Sequence, residues 1–537
     1  MKSIFTLFFI ALCFLAQGQS VIQVTADITT NTTWMNTNIY VLNGYIHVDS
    51  GATLTIMPGT IIKGKADDGT GSILSTLLID RGAKLVASGT ANQPIVFTSE
   101  KPVGQRSYGD WGGVVICGRA TINPASGQAE VEGTPAGTTV YGGPDDDDSS
   151  GVLRYIRIEF CGIPLQPNKE INGLTLAGIG RKTVLDNIQI SYSGDDSFEW
   201  FGGTVNAKHL IAYRGWDDDF DTDFGFRGKV QFAVAQRDSQ VADPGSGSNG
   251  FESDNDATGS SNTPFTQAIF CNVTSVGPLA TLSSGYNSNF KRGMHIRRNS
   301  KLSIHNSLSL GWPIALLLDG AGCETNATAN ELQIRNQVFA GCVDSFKIAS
   351  GSVFDLRTWY YTGAFSNEMD MNTSDVQLTA PFNYANPNFL PMSGSPVLTG
   401  ADFTNGNLNG DTWFQNVPYR GAFGTTDWTA NWANWDPQNT SYDLVSNSPD
   451  LSTLNIARVF PNPTSGNLNI EFHSTQSTEG SVEIFDMSGR KVLNAFEGVF
   501  QTGLNSFSTD INSLSQGIYF LKIKTAENVK TVKVSKI

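Results

Sequence analysis

Short runs of apolar residues recur along most of the chain, with Gly and Asn between them and no amphipathic helix pattern among them. These runs repeat in register. Ile156-x-Ile158-x-Phe160-x-Gly162 returns 32 residues later at positions 188–194, and the pattern of residues 302–311 returns 30 residues later at positions 332–341. Repeated strands at steps of variable length predict a solenoid whose coils have a constant width and carry loops of different length.

One repeat runs through three successive coils. A spacing of 22 residues relates Ile188, Leu210 and Phe232, and it also relates Ile190, Ala212 and Val234. If each step is one coil, side chains at equivalent positions stack on neighbouring strands about 4.8 Å apart. The repeat therefore predicts which residues are neighbours, as well as the class of fold.

The N-terminal third follows the same pattern, because residues 51–60 and 82–86 each place two apolar positions next to a Gly turn. An array of β-sandwiches is the alternative, but it would need hairpins with regularly spaced Asn-Gly or Asp-Gly turns, and that signal is weaker. In their pattern of short apolar strands and Gly turns, roughly residues 40–400 resemble the right-handed parallel β-helix of the pectin-lyase-like superfamily. We assign residues 21–400 to such a β-helix.

After Asp402 the repeat fades and aromatic residues accumulate, among them Trp413, Trp428, Trp432 and Trp435. A solenoid must cover its open end, so residues 401–454 are predicted to form a cap followed by a linker. The alternative interpretation is an aromatic platform on which sugar rings stack.

Residues 455–537 show a different pattern, in which several short strands alternate apolar and polar positions, including 468–472, 482–485, 518–523 and 529–534. This pattern predicts a small Ig-like β-sandwich, so the whole chain is expected to be all-β. An ordinary Ig-like adhesion module would also explain the strands.

Three motifs in this module carry a resemblance: residues 460–468 (FPNPTSGNL), 484–492 (IFDMSGRKV) and 517–523 (GIYFLKI), followed by the Lys-rich terminus. They resemble the C-terminal sorting domain, type A, of the bacterial type IX secretion system. The resemblance implies that the secretion machinery recognises residues 455–537 and that the protein works outside the outer membrane, secreted or attached to the cell surface.

Residues 1–20 are typical of a secretory signal peptide. Lys2 precedes an apolar run from Ile4 to Ala16, and the small residues after it suit cleavage. The run is too short for a comfortable membrane span of about 20 residues, and no later stretch approaches that length, so no transmembrane segment is expected in the mature protein.

Charge excludes some partners. The chain of 537 residues has a net charge of −15, with 50 acidic and 35 basic residues. Such a chain repels phosphate backbones, so nucleic acid is not an expected partner, and cations or neutral ligands are favoured.

The five cysteines after Cys13 show no CxxC spacing. Buried free thiols are therefore expected for most of them, although Cys323 and Cys342 are one candidate pair.

The candidate chemistry lies in the 22-residue repeat, which aligns Asp195-Asp196 with Asp217-Asp218 and Glu199 with Asp221. Stacked carboxylates repel one another unless a cation neutralises them, and clustered oxygen ligands suit Ca²⁺. The alternative is a solvated acidic edge. The candidate Ca²⁺ ligands are Asp195, Asp196, Glu199, Asp217, Asp218, Asp219, Asp221 and Asp223.

Paired carboxylates also serve acid and base catalysis on glycosidic bonds. Asp196 and Asp218 are the candidate catalytic acids, and Lys208 and Arg214 are the basic residues nearest in sequence that a lyase would use. Residues 193–196 resemble the Gly-Asp-Asp element of polygalacturonases, but the Gly-His-Gly and Arg-x-Lys motifs of those enzymes are absent. The basic stretch of residues 291–298 is a candidate contact for an acidic polysaccharide.

The sequence therefore predicts a secreted or surface β-helix protein that binds glycans or acts as an adhesin, with Ca²⁺ on its acidic face and a polysaccharide as its ligand. A Ca²⁺-dependent polysaccharide lyase or glycoside hydrolase is the first alternative. A surface scaffold without a small ligand is the second.

Overall fold

A computed structural model describes residues 20–66, 75–164, 170–442, 454–474, 477–487, 489–525 and 529–537. The predicted signal peptide lies almost wholly outside the described residues. The described residues fall into two compact units, one within Gln19–Leu444 and the other within Val445–Ile537.

The first unit is a right-handed parallel β-helix, in which a turn of the chain adds one strand or two short strands to the first of two long parallel sheets and one strand to the second. The first sheet contains Ser20–Val24, Thr32–Trp34, Asn38–Leu42, Thr53–Ile56, Ile61–Gly64, Lys84–Ser88, Ile95–Ser99, Gly151–Glu159, Val184–Ser191, Asn206–Tyr213, Lys229–Gln236, Ile269–Val276, Ser303–His305, Leu308–Leu310, Ile334–Arg335, Val338–Ala340 and Glu368–Asp370. The second sheet contains Tyr45–Val48, Thr76–Ile79, Gly113–Cys117, Leu174–Ile179, Phe198–Gly203, Phe220–Asp223, Ser248–Ser253, Phe290–Arg297, Ile314–Asp319 and Asp344–Ile348.

Smaller elements decorate the coils. Two-stranded antiparallel hairpins pair Ala129–Glu130 with Val140–Tyr141, Ile163–Pro164 with Glu170–Ile171, and Leu378–Ala380 with Asn388–Pro391. The α-helices are Ala321–Thr328 and Leu356–Tyr360, and the 3-10 helices are Gly363–Phe365, Thr373–Val376, Pro396–Leu398 and Gly406–Leu408.

The predicted register holds at most steps. Ile156 pairs with Ile188 and Ile188 with Leu210, and Leu308 pairs with Val338. The next 22-residue step is wrong by one residue, because Leu210 pairs with Ala233 and Ala212 with Ala235. The coil between these two strands is one residue longer than its predecessor.

The one-residue error has a local cause at the bend of the first sheet. From the coil of Tyr155 to the coil of Asn336, each coil has one residue there with a left-handed backbone, and His209 and Phe232 are equivalent bend residues with φ of 56° and 62°. Their rings stack 5.4 Å apart. Phe232 is buried, as Leu210 is, but it lies at the bend and does not pair with the neighbouring strand. This is why the repeat aligns Phe232 with Leu210 although Ala233 is the residue that pairs with it.

The core of the β-helix consists of apolar side chains from both sheets. Leu54, Leu85, Leu153, Leu185 and Ala207 belong to one continuous buried cluster that extends through the coils. Because the side chains of a strand alternate between its two faces, every inward apolar residue leaves its neighbours facing outward.

The five cysteines that the structure describes are free, so Cys323 and Cys342 are not joined.

Residues 399–442, which we call the strap, return along the outer face of the first sheet. Amide side chains of successive coils clamp its backbone. The side-chain amide of Gln231 donates to the backbone carbonyl of Gln415 at 2.8 Å and accepts from its backbone N–H. Gln189 forms the same two hydrogen bonds with the backbone of Asn434. The prediction of a cap over the open end is therefore wrong: the aromatic residues of the strap, such as Trp432, pack against the side of the solenoid.

The second unit is the predicted small sandwich of two antiparallel sheets. One sheet contains Leu454–Phe460, Asn467–Ser474 and Gly503–Asp510, and the other contains Lys491–Phe500, Thr478–Phe485, Gly517–Thr525 and Val529–Lys536. Apolar residues of both sheets, including Ile470, Phe472, Ile484 and Leu521, share one buried cluster.

Candidate metal centre

A file of polar side chains crosses the outer face of the second sheet. Glu199 pairs with Asp221, Asp221 with Glu252, and Glu252 with His295 on four successive strands. The residues just before them, such as Phe198 and Phe220, point into the core. Alternation along each strand therefore places the polar file on the outer face.

Two turns bring further carboxylates to the start of these strands. Asp195 and Asp196 precede one strand, and Asp217 and Asp218 precede the next. Asp196 Oδ1 accepts a hydrogen bond of 2.8 Å from the backbone N–H of Asp218, and Asp218 Oδ1 accepts one from the N–H of Asn249 on the following coil. The acids of successive coils are thus stacked as the repeat predicts.

These residues form three groups in which carboxylate oxygens lie within 4.8 Å of one another. The groups are Asp195, Asp196 and Asp217; Asp196, Glu199 and Asp221; and Asp218, Asp221 and Glu252. Asp196 and Asp221 each belong to two groups. The seven residues therefore form one continuous cluster, which we call the acid row.

The acid row is largely buried, and this dominates its electrostatics. Burial, reinforced by the neighbouring carboxylates, raises the pKa values of Asp195, Asp196, Glu199, Asp217 and Asp221 well above their ordinary range. The pKa of Asp218 is raised to about 8 for the same reasons. A proton or a cation is needed to neutralise such a cluster.

Several oxygens of the acid row have no hydrogen-bond partner among the described residues although they are buried: Asp195 Oδ2, Asp217 Oδ1 and Asp221 Oδ1. Asp195 as a residue is only 6% exposed. Buried polar atoms nearly always have a partner, so these oxygens suit the ligand positions of a bound ion. Carboxylate oxygens at this spacing are the donor set that Ca²⁺ prefers.

Two of the predicted ligands lie elsewhere. Asp219 belongs to none of the three groups; its side chain is fully buried and forms an ion pair with Arg237. Asp223 belongs to none of the three groups; its Oδ1 accepts a hydrogen bond from the backbone N–H of Phe224, and burial and the charge of Asp254 raise its pKa.

The basic residues proposed from sequence proximity are also away from the acid row. Lys208 lies on the first sheet, with its ammonium group 4.7 Å from the ring centre of Trp413 in the strap. Arg214 forms an ion pair with Asp238 and stacks on Tyr192 and Tyr384. Proximity in sequence does not bring these residues to the acids, because Lys208 belongs to the other sheet and Arg214 to the turn between the sheets.

The structure brings two other residues to the site, Glu252 and Arg292. Glu252 belongs to residues 249–256, an acidic stretch separated from the repeat by a Gly/Ser-rich insertion, and the pair Phe251-Glu252 after Phe220-Asp221 is the signal that identifies it. His295 donates to its carboxylate and Arg297 lies beside it, so the pKa of Glu252 is lowered even though burial opposes this.

Arg292 comes from the basic stretch of residues 291–298 and pairs with Asn249 in the sheet. It is half-buried, and its Nε has no hydrogen-bond partner in the described part of the chain. Burial lowers the pKa of Arg292, while Glu252 and Asp218 favour its charged form. The other arginines of the stretch are occupied, since Arg297 and Arg298 both bind Asp254.

Comparison with known families identifies the first unit. Residues 26–382 match the model of the pectate-lyase-like beta helix domain. The chain belongs to this family. The match covers the coils that form the acid row, so this β-helix domain carries its acids on a surface built by its own repeat.

The second unit matches the secretion system C-terminal sorting domain over residues 458–536. This confirms the resemblance to the type IX sorting domain, and it indicates export to the cell surface or the medium through interaction with the type IX machinery. None of the helices in the described residues is long and apolar enough to span a membrane.

Among solved structures, the chain is similar to two bacteriophage tailspikes. The Dettilon tailspike protein shares 10% identity at a TM-score of 0.26, over 60% of this chain and 62% of that one. The enzymatically active domain of bacteriophage CBA120 tailspike protein 2 shares 11% identity at a TM-score of 0.26, over 93% of this chain and 72% of that one. No curated protein matches the sequence.

Proposed function

We propose that this exported β-helix protein binds acidic polysaccharides, that Ca²⁺ held by the acid row is the centre of the binding site, and that Arg292 provides a second contact for sugar carboxylates. The observation that carries the proposal is the set of buried carboxylate oxygens that have no partner among the described residues, in three groups that Asp196 and Asp221 link to one another.

Electrostatics supports a cation in preference to a solvated acidic edge. Two like charges 4 Å apart near a protein surface repel by about 4 kcal/mol. The acid row contains several such pairs, and Asp196, Glu199 and Asp218 are each less than 8% exposed, so water cannot screen them well. A divalent ion converts this repulsion into attraction, and it can still accept an oxygen from a sugar carboxylate.

The test is a calorimetric titration of the purified protein with Ca²⁺, together with thermal melts in Ca²⁺ and in EDTA. We expect saturable binding and a higher melting temperature in Ca²⁺. Both effects should disappear in the triple variant Asp195→Ala/Asp217→Ala/Asp221→Ala. The single variant Asp221→Asn preserves shape and removes one charge from two of the three groups, so it should weaken binding strongly.

Asp186→Asn is the matched control, because Asp186 is a partly exposed acid on the first sheet that binds His209. It should leave Ca²⁺ binding unchanged. If the wild-type protein neither binds Ca²⁺ nor responds to EDTA, the acid row is a protonated or solvated surface, and the surface scaffold becomes the preferred function.

A specific observation favours a second candidate, a Ca²⁺-dependent polysaccharide lyase. The Nε of Arg292 has no hydrogen-bond partner among the described residues. Burial lowers the pKa of Arg292, and the negative charges of Glu252 and Asp218 oppose this shift. A lyase needs a cation that acidifies the proton next to the sugar carboxylate and a base to remove it. A glycosidase would instead use carboxylates such as Asp196 and Asp218.

Product analysis distinguishes these activities from binding. A lyase produces unsaturated ends that absorb in the ultraviolet, and Arg292→Lys should abolish this signal while Ca²⁺ binding persists. A glycosidase produces reducing ends without the absorbance, and this activity should be lost in Asp196→Ala or Asp218→Ala. Binding without either product supports the binding protein.

A further inference from the structure

Basic residues occupy the turn that follows the second sheet in three successive coils. Arg81, Arg119 and Arg181 each come directly or shortly after a strand of that sheet. Arg181 has acidic partners, since it lies 3.6 Å from Asp146 and 3.3 Å from Asp147. The charge of the third arginine is therefore neutralised within the protein.

The first two arginines are not neutralised in this way. Within the described part of the chain, neither Arg81 nor Arg119 lies in an ion pair, and the side chain of Arg81 donates only to the carbonyl of Gly142, from Nη1 at 2.8 Å. The nearby carboxylate of Asp80 binds His47 Nδ1 at 2.8 Å. Because a guanidinium group has five N–H donors, most of the donors of both arginines remain available.

The backbone brings the two arginines to the same turn. Ile79 pairs with Ile116, so Gly82 and Arg119, three residues further along each strand, occupy corresponding positions. Gly82 has a φ of +95°, and a Cβ atom at this residue would collide with Nη2 of Arg119 and lie 2.8 Å from Oγ of Ser50. The absence of a side chain at Gly82 thus allows the guanidinium group of Arg119 to lie across the turn, next to Arg81 and the hydroxyl of Ser50.

These groups face a cleft of about 670 Å³, whose other wall is the loop and hairpin that contain Gln128 and Val140. The side chains of Ser50 and Gln128 line the cleft, and neither forms a hydrogen bond with another residue that the structure describes. Two guanidinium groups, a hydroxyl and an amide therefore converge on one space. Guanidinium groups match the geometry of oxyanions, which they bind through paired, charge-assisted hydrogen bonds.

We propose that this cleft binds a tetrahedral oxyanion, a sulfate or phosphate ester, between Arg81 and Arg119. Two carboxylates at the rim, those of Asp80 and Asp145, repel a second anionic group and accept hydrogen bonds from hydroxyl groups. The ligand is therefore a hydroxylated molecule with a single oxyanion. The net charge of −15 opposes the approach of anions at long range, so the affinity comes from these local contacts.

The proposal is independent of the acid row and of Ca²⁺. The acid row begins at the turns that precede later strands of the second sheet, whereas the cleft lies at the turns that follow earlier strands. Binding should therefore persist in EDTA, and a failure of Ca²⁺ to bind would leave this site unaffected.

The test is calorimetric titration of the full chain in EDTA with glucose 6-sulfate and, separately, with glucose 6-phosphate. We expect saturable binding of at least one of them, and the tighter ligand identifies the oxyanion. Glucose should not bind, because it lacks the anionic group. Absence of binding by both esters overturns the proposal, and so does equal binding of glucose.

The variant Arg119→Gln removes one guanidinium group that has no side-chain partner among the described residues, so the fold should survive. We expect it to weaken ester binding about tenfold, which corresponds to about 1.4 kcal/mol. Arg181→Gln is the matched control, because it removes the same charge from the next coil, where Asp146 and Asp147 already bind the arginine. Unchanged affinity in Arg119→Gln, or an equal loss in Arg181→Gln, contradicts the assignment.

A second measurement uses the wild-type protein and does not depend on how a variant folds. Phenylglyoxal modifies accessible arginines, and mass spectrometry locates the modified residues. The ester that binds should protect Arg81 and Arg119 and leave the modification of Arg181 unchanged. Modification of Arg81 and Arg119 at the same rate with and without a bound ester would place the ester elsewhere and overturn the proposal.

Discussion

Asp219 and Arg237 form an ion pair in the interior of the β-helix, with Asp219 Oδ1 at 2.7 Å from Arg237 Nη1 and both side chains fully buried. Asp219 follows two members of the acid row in sequence, yet it belongs to none of the three groups of that row. Arg237 also donates to the carbonyls of Trp216 and Asp217. The pair therefore fixes the turn that presents Asp217 at the surface.

Removal of Asp219 should be costly, because Arg237 would remain as a buried charge without its partner. We expect Asp219→Ala to lower the free energy of unfolding by about 3–5 kcal/mol, as measured by urea denaturation. Asp344→Ala is the control. Asp344 binds Lys347 at the surface, where both side chains are 49% exposed, and loss of such a pair costs about 0–1 kcal/mol. Equal effects of the two variants would contradict this account.

The acid row predicts an unusual dependence of stability on pH. In the folded, metal-free protein the pKa of Asp218 is raised to about 8, and the other carboxyls of the row except Glu252 are also raised. Between an unfolded pKa of about 4 and these folded values, folding takes up protons, so stability falls as pH rises. Melting temperatures in EDTA should therefore decrease from about pH 5 to about pH 8.

Ca²⁺ should oppose this trend, because it binds deprotonated carboxylates and its affinity rises with pH. The stabilisation by Ca²⁺ should thus be largest near pH 8 and small near pH 5. Asp221→Asn should flatten the dependence in EDTA. A melting temperature that does not change with pH in EDTA would show that the row does not bind protons as the raised pKa values indicate.

A buried carboxyl of the β-helix is among the groups that bind the end of the strap. Glu159 is 1% exposed and accepts hydrogen bonds from Tyr442 Oη at 2.7 Å and from Thr98 Oγ1 at 3.0 Å. Tyr442→Phe leaves this carboxyl short of one donor, so it should lower the free energy of unfolding by about 1–3 kcal/mol. Tyr361→Phe, at a tyrosine that is 44% exposed, should have no comparable effect.

Export should depend on the second unit. Deletion of residues 458–536 removes the sorting domain and leaves the β-helix family region of residues 26–382 intact. In a bacterium with type IX machinery, we expect the truncated protein to accumulate in the cell envelope and to be absent from the surface and the medium. Cell fractionation with an antibody to the β-helix measures this. Normal release of the truncated protein would mean that another segment directs export.

The sequence by itself determined the class of fold, most of the register and the module for export. These features are repetitive or local: a strand pattern that returns every 22, 30 or 32 residues, and three motifs in order at the C-terminus. In a solenoid each coil packs mainly on its neighbours, so a repeat in sequence translates directly into a contact in space. The 22-residue repeat therefore predicts that Glu199 lies beside Asp221, and the strand pairing confirms it.

The tertiary structure decided the direction of individual side chains and the partners that come from distant coils. Asp219 forms an ion pair with the buried guanidinium of Arg237, Glu252 joins the acid row across an insertion that interrupts the repeat, and Arg292 pairs with Asn249 on the neighbouring strand. The strap covers the side of the solenoid because amide side chains of several coils form hydrogen bonds with its backbone. Such choices depend on which polar groups find a partner in the folded chain, and no periodic pattern records them.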